Sequence, residues 1–201
     1  MNLKNLGLIE EINHLWNPIY PFLAQHIHEL YGRQDGSVLE IGPFSGVIFA
    51  LQEKSVGNSF SIVAFPPQLA AYFTWEATKR GVEKKLMVIE SDSSLSGIED
   101  NTIDLAVFRG AFFFPFLGNV NYQQIHRVLK PGGFAFIGGG FGKLTPNAVI
   151  DDIGEKSRDI NLQLGKIHVS EEQIRQSIQA IKVKGKTELK TEGGLWVTMK
   201  K

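Results

Sequence analysis

The chain has 201 residues, 21 Lys and Arg against 21 Asp and Glu, and no Cys. That length suits one medium domain, or at most two small ones. Without Cys there are no disulfides, thiol nucleophiles or iron–sulfur clusters, and the balanced charge argues against a nucleic-acid binder.

From the N-terminus, Leu8, Ile12, Leu15 and Trp16, then Leu23, Ile27 and Leu30, fall at helical spacing. Pro18 and Pro21 divide them into two short helices, and the start lacks the basic-then-apolar form of a signal peptide. Ser37 to Ile41 reads as a strand, followed by Gly42-Pro43-Phe44-Ser45-Gly46 and a helix through Leu51. Phe60 to Ala64 is a second strand, and Gln68 to Arg80 a helix stopped by Gly81. Strands follow at Lys85 to Ile89, at Ile103 to Phe108 and at Phe134 to Ile137. A helix from Asn119 to Leu129 ends at Lys130-Pro131-Gly132-Gly133, read as a helix-ending turn that touches nothing. Ser170-Glu171-Glu172-Gln173 has the form of a capping box and opens a helix to about Ala180. Ile181 to Thr191 and Leu195 to Met199 form two strands joined across Gly193-Gly194.

Short apolar strands alternating with helices predict an α/β, three-layer, doubly wound, mostly parallel sheet. The last two strands lack a connecting helix and must close it as an antiparallel hairpin, giving seven strands in a Rossmann-like fold. The expected division is a helical cap over residues 1–35 and the sheet domain over 36–201. No apolar run approaches the roughly 20 residues of a membrane span. A soluble cytoplasmic protein is therefore expected, without membrane or nucleic-acid partners.

In such a sheet, ligands bind beyond the carboxyl ends of the strands, beside the first one. The loop there, Glu40 to Gly46, carries two glycines that let backbone approach a ligand. Behind it, in order, stand Glu90-Ser91-Asp92-Ser93-Ser94-Leu95, then Asp104 to Gly110, then His126-Arg127-Val128-Leu129-Lys130-Pro131-Gly132-Gly133. Together these resemble the motifs of class I S-adenosylmethionine-dependent methyltransferases of the small-molecule type, and the closing hairpin is that family's variation on the fold.

The resemblance implies S-adenosylmethionine as cofactor, a small-molecule substrate, and room for a homodimer. Glu40 would lie toward the methionine ammonium, and Gly42, Pro43, Phe44, Ser45 and Gly46 around the methionine and ribose. Phe65 would flank the ribose. Asp92, with Ser93, would receive the adenine amino group, and Phe108 and Arg109 would lie under the methyl. No catalytic residue is indicated, because transfer from a sulfonium chiefly needs alignment and exclusion of water.

Two positions depart from the family. Phe44 stands where it usually has glycine. Ala64 stands where it usually has an acid for the ribose hydroxyls, a loss of about 1.5–3 kcal/mol, or roughly ten- to a hundredfold in affinity. A non-catalytic ligand-binding or regulatory protein on the same fold is the alternative.

Arg109 is expected either to bind a substrate carboxylate or phosphate, or to pair with Glu40, Asp92 or another acid. Phe112, Phe113, Phe114 and Phe116 are read as core, with a share in a substrate wall. The five His residues show no metal-binding spacing. The tail from Lys182 to Lys201 reads as a solvated edge that discourages strand pairing.

Overall fold

The computed structural model describes residues 3–201. Met1 and Asn2, which enter the reading of the start as leaderless and open the expected 1–35 unit, lie outside the described residues. Two helices come first, α1 (Leu3–Leu15) and α2 (Tyr20–Tyr31). Pro18 falls between them, whereas Pro21 sits in the first turn of α2, where a missing N–H costs nothing. Gly32 ends α2 in the left-handed conformation.

The alternation then runs β1 (Ser37–Ile41), α3 (Val47–Glu53), β2 (Ser59–Ala64), α4 (Ala70–Lys79), β3 (Leu86–Glu90) and β4 (Ile103–Arg109). It continues with α5 (Tyr122–Val128), β5 (Leu129–Gly140), α6 (Asn147–Gln163), α7 (Glu171–Gln179), β6 (Lys186–Lys190) and β7 (Gly194–Lys200). The seven strands lie in the order β3-β2-β1-β4-β5-β7-β6. The first five are mutually parallel, and β7 runs antiparallel to both β5 and β6. This is the expected sheet and hairpin.

The strand order reverses at β1, which pairs with β2 on one side and β4 on the other. Ile41 faces Val63 and Phe108 in register, so the β1 and β4 exits lie level. Every residue of β4 is buried, which accounts for its apolar run from Leu105 to Phe108. Ile9, Ile12, Leu23 and Ile27 of the first two helices, with Ile19 between them, join one core with the sheet.

Three local expectations need correction. The Lys130-Pro131-Gly132-Gly133 run does not end the helix in a free turn. Leu129 is already extended, and β5 begins there, with an irregular ladder between Ile103 and Leu105. Gly132 donates to the Lys201 carbonyl at 2.8 Å and Lys201 donates to that of Gly133 at 3.0 Å, so the run ties down the C-terminal strand. Strand β6 starts at Lys186, because Gly185 (φ +114°) interrupts the extended run. Finally, α6 occupies a segment whose polar sequence predicted no element.

On the edge strand β6, Lys186 and Lys190 both pair with Glu188, at 2.7 and 3.1 Å. Charges so placed discourage edge-to-edge pairing.

Candidate functional site

The loop after β1 is closed. Every residue from Ile41 to Ala50 is buried. Glu40 is fully buried and turned toward the start of α3, where its carboxylate accepts from the backbone N–H groups of Gly46 (2.8 Å), Val47 (3.3 Å) and Ile48 (3.0 Å). Orphan N–H groups at a helix start favour a negative partner. Burial works against that charge and pushes the Glu40 pKa up to about 7. Glu40 thus braces the loop rather than reaching toward an ammonium.

Several other polar groups of the loop are also engaged. Gly42 donates to the Val63 carbonyl at 3.1 Å, and its own carbonyl accepts from the Ser45 hydroxyl at 2.8 Å. The Pro43 carbonyl accepts from the Asn13 amide of α1 at 2.8 Å. The Phe44 carbonyl accepts from Arg109 Nε at 2.9 Å. Gly42 has φ +95°, and the Phe108 ring lies so close that an added Cβ would meet it at 3.0 Å. The close approach that glycine permits is thus used by a side chain of the protein itself.

Phe44 turns away from the loop into an aromatic group. Its ring centroid is 4.3 Å from that of Phe114 and 6.3 Å from that of Phe116. Gly110 makes this possible, since a Cβ there would meet the Phe44 ring at 2.4 Å.

Arg109 does not pair with Glu40, Asp92 or another acid. It is buried, and no ion pair among the described residues includes it. Besides the Phe44 carbonyl, it donates to the Tyr20 hydroxyl at 2.8 Å and to Asn13 Oδ1 at 3.3 Å. Burial raises the Tyr20 pKa and keeps the phenol neutral, an acceptor for the cation. The guanidinium carbon also lies 4.6 Å from the Trp16 ring centroid and 5.1 Å from that of Tyr20. Arg109 therefore clamps the N-terminal helices onto the loop.

Beyond this clamp, at the ends of β4 and β5 and the start of β7, opens a cavity of about 440 Å³. Trp16, Phe44, Phe113, Phe114, Phe141 and Leu195 supply apolar walls. Gly154, Ser157 and Asn161 of α6 form one side, with Lys166 beyond them. Much of the floor is glycine, from Gly139, Gly140, Gly193 and Gly194. Those strands meet too closely for side chains: a Cβ at Gly140 would lie 2.3 Å from the Gly193 carbonyl oxygen.

Phe113 and Phe114 thus line the cavity, and Phe114 is also core. No sequence argument pointed to α6, although Gly154, Ser157 and Asn161 recur at helical spacing as a small and polar stripe. That spacing is the signal that would have found it.

The remaining expected cofactor residues are dispersed. Asp92 is exposed and accepts from the Ser94 N–H at 2.8 Å, a local turn contact that holds its pKa below the usual carboxylate range. Ser93 lines a separate cavity of about 730 Å³, between the β4 exit and α7. Phe65 is half-buried, and Ala64 is fully buried with no side-chain acceptor to offer. Among the described residues no three His, Asp or Glu side chains gather where they could hold a metal ion. S-adenosylmethionine would require the loop's polar groups and a ribose acceptor. Several of the first are engaged within the protein, and Ala64 supplies no side-chain acceptor to the ribose.

No family model and no curated protein matches the chain. Solved structures do share its fold. A protein from Methanococcus maripaludis assigned as an S-adenosyl-L-methionine-dependent methyltransferase superposes with TM-score 0.80 at 24% identity, over 98% of this chain and 92% of that one. A SAM-dependent methyltransferase from Aquifex aeolicus gives 0.62 at 16%, over 96% of each chain. Geranyl diphosphate C-methyltransferase from Streptomyces coelicolor, solved with Mg2+, geranyl diphosphate and S-adenosyl-L-homocysteine, gives 0.56 at 11%, over 89% and 78%. The chain has the fold of S-adenosylmethionine-dependent methyltransferases.

Proposed function

We propose that this chain is a methyltransferase that takes its methyl group from S-adenosylmethionine and transfers it to a small molecule seated in the aromatic cavity. In this reading the helices before residue 36 are a cap, residues 36–201 the catalytic domain, and the cap governs access of the donor. The observation that carries it is adjacency: the cavity shares Phe44 and Arg109 with the loop where this fold places its donor. The ordered motifs and the methyltransferases of the same fold support it.

No Asp, Glu or His lines the cavity. The acceptor therefore attacks without a carboxylate or imidazole base, and the protein's part is to orient it and exclude water. No described helix is long and apolar enough to cross a membrane, which accords with the proposed cytoplasmic location.

The test is calorimetry with S-adenosylmethionine and its demethylated product. Asn13→Ala, which frees the Pro43 carbonyl, is expected to bind either one more tightly than the native chain. Absence of binding to both chains at millimolar ligand would overturn the proposal.

The engaged loop and Ala64 favour a second reading, a ligand-binding protein without methyl transfer. Phe44→Gly combined with Ala64→Asp separates the two. A large gain in donor affinity would mark the native site as degraded and support the second reading. A loss would mark Phe44 and Ala64 as parts of a working arrangement.

A further inference from the structure

The aromatic cavity is cationic as well as apolar. Arg109 and Lys166 both line it, and no acidic side chain does. Neither cation belongs to an ion pair among the described residues. The Lys166 pKa is lowered, chiefly by partial desolvation of its ammonium and then by the Arg109 charge. Two like charges facing one apolar space without an acid between them repel each other, and an anion placed there relieves this.

Trp16, another wall residue, is buried, and its indole N–H has no acceptor. At the Lys166 end the cavity adjoins a recess of about 430 Å³ that also takes in Lys166, with Arg158 and His168. The acidic side chains are missing from the recess wall too.

We infer that this cavity binds an amphiphilic anion: an apolar body of roughly eight to ten carbons among Trp16, Phe113 and Phe141, with one carboxylate or phosphate at the Lys166 end. The volume accepts such a body with space to spare. The inference names the acceptor class and rests on reading the cavity as the acceptor site. Binding is measured without S-adenosylmethionine, so failure of the donor to bind and failure of the anion to bind are read apart.

The experiment is calorimetric titration of the full chain with octanoate, octyl phosphate, octanol and octylamine. At least one of the two anions is expected to bind, with octanol at least about tenfold weaker, as for a lost charge-assisted contact, and octylamine silent. Whichever anion binds more tightly tells whether the head is a carboxylate or a phosphate.

Lys166→Met should bring the anion and the alcohol within about twofold of each other; because Lys166 is exposed and unpaired by any carboxylate, folding is not at stake. Gly154→Leu fills the cavity from α6, where a Cβ meets nothing nearer than Phe141 at 3.8 Å, and should abolish all binding. Octanol binding as tightly as both anions, unchanged anion binding in Gly154→Leu, or no binding by either anion would overturn the inference.

Discussion

The loop after β1 and the cavity beyond β4 lie side by side, share Phe44 and Arg109, and are opposites. In the loop, every residue from Ile41 to Ala50 is buried and several polar groups are matched inside the protein, by Glu40, Asn13, Arg109 and Ser45. In the cavity, two cations and an indole N–H are left without acidic partners. The difference teaches where ligand-binding capacity resides. A glycine-rich motif marks a place in the fold, but binding depends on which hydrogen-bonding groups remain unspent. Here several of the motif's groups are spent on bracing, as is most of the Arg109 guanidinium, and across the β4 exit Lys166 keeps no acidic partner.

The sharpest way to break this contrast is Gly110→Ala. A non-glycine residue at φ +79° and a Cβ 2.4 Å from the Phe44 ring should together cost about 3 kcal/mol, read by urea unfolding. If stability is unchanged, Phe44 is not seated between the two regions as described.

Next is Glu40→Gln, which leaves one of the three α3 N–H groups without an acceptor and should cost about 1–3 kcal/mol at pH 5. The native chain should itself lose stability between pH 5 and 8. Its folded form holds the Glu40 proton up to about pH 7, whereas the unfolded chain releases it near 4.5, so raising the pH favours unfolding. Glu40→Gln should flatten that slope. A native melting temperature that rises over this range, with the slope kept in the variant, would contradict the buried carboxyl.

Asn13→Ala removes one strap of the cap, and about 1 kcal/mol of stability should go with it. The accompanying gain in donor affinity is the functional half of that test.

Smallest is Ser170→Ala, which opens the capping box of α7 away from both regions. It should cost about 1 kcal/mol and leave binding in the cavity untouched. A change in octanoate affinity would show that α7 is coupled to the cavity.

Much of the fold was legible in the sequence because its signals are local. The apolar run of β4 and the capping box Ser170 with Gln173 are each settled within a few residues. The site was legible only as a location. The partners of Arg109 come from Asn13 and Tyr20, 96 and 89 residues away, and no spacing rule joins them. Glu40 looked like a ligand acceptor because its orientation toward α3 depends on how the loop folds back. Helix α6 went unread because its exposed face is rich in Asp, Glu, Lys and Arg, so its narrow cavity-facing stripe does not stand out.

The glycine floor of the cavity carries a consequence for variation. Gly140, Gly193 and Gly194 each have a neighbouring backbone atom within 2.4 Å of where a Cβ would stand, and at Gly139 a Cβ would meet the Phe113 ring at 2.7 Å. The three backbone clashes close those positions to larger residues, whatever ligand is presented. The opposite wall is not closed: Gly154, Ser157 and Asn161 lie along one helix, and at Gly154 an added Cβ meets nothing nearer than Phe141 at 3.8 Å. Divergence between relatives with different ligands should therefore fall on α6 and the aromatic walls, while Gly140, Gly193 and Gly194 stay constant.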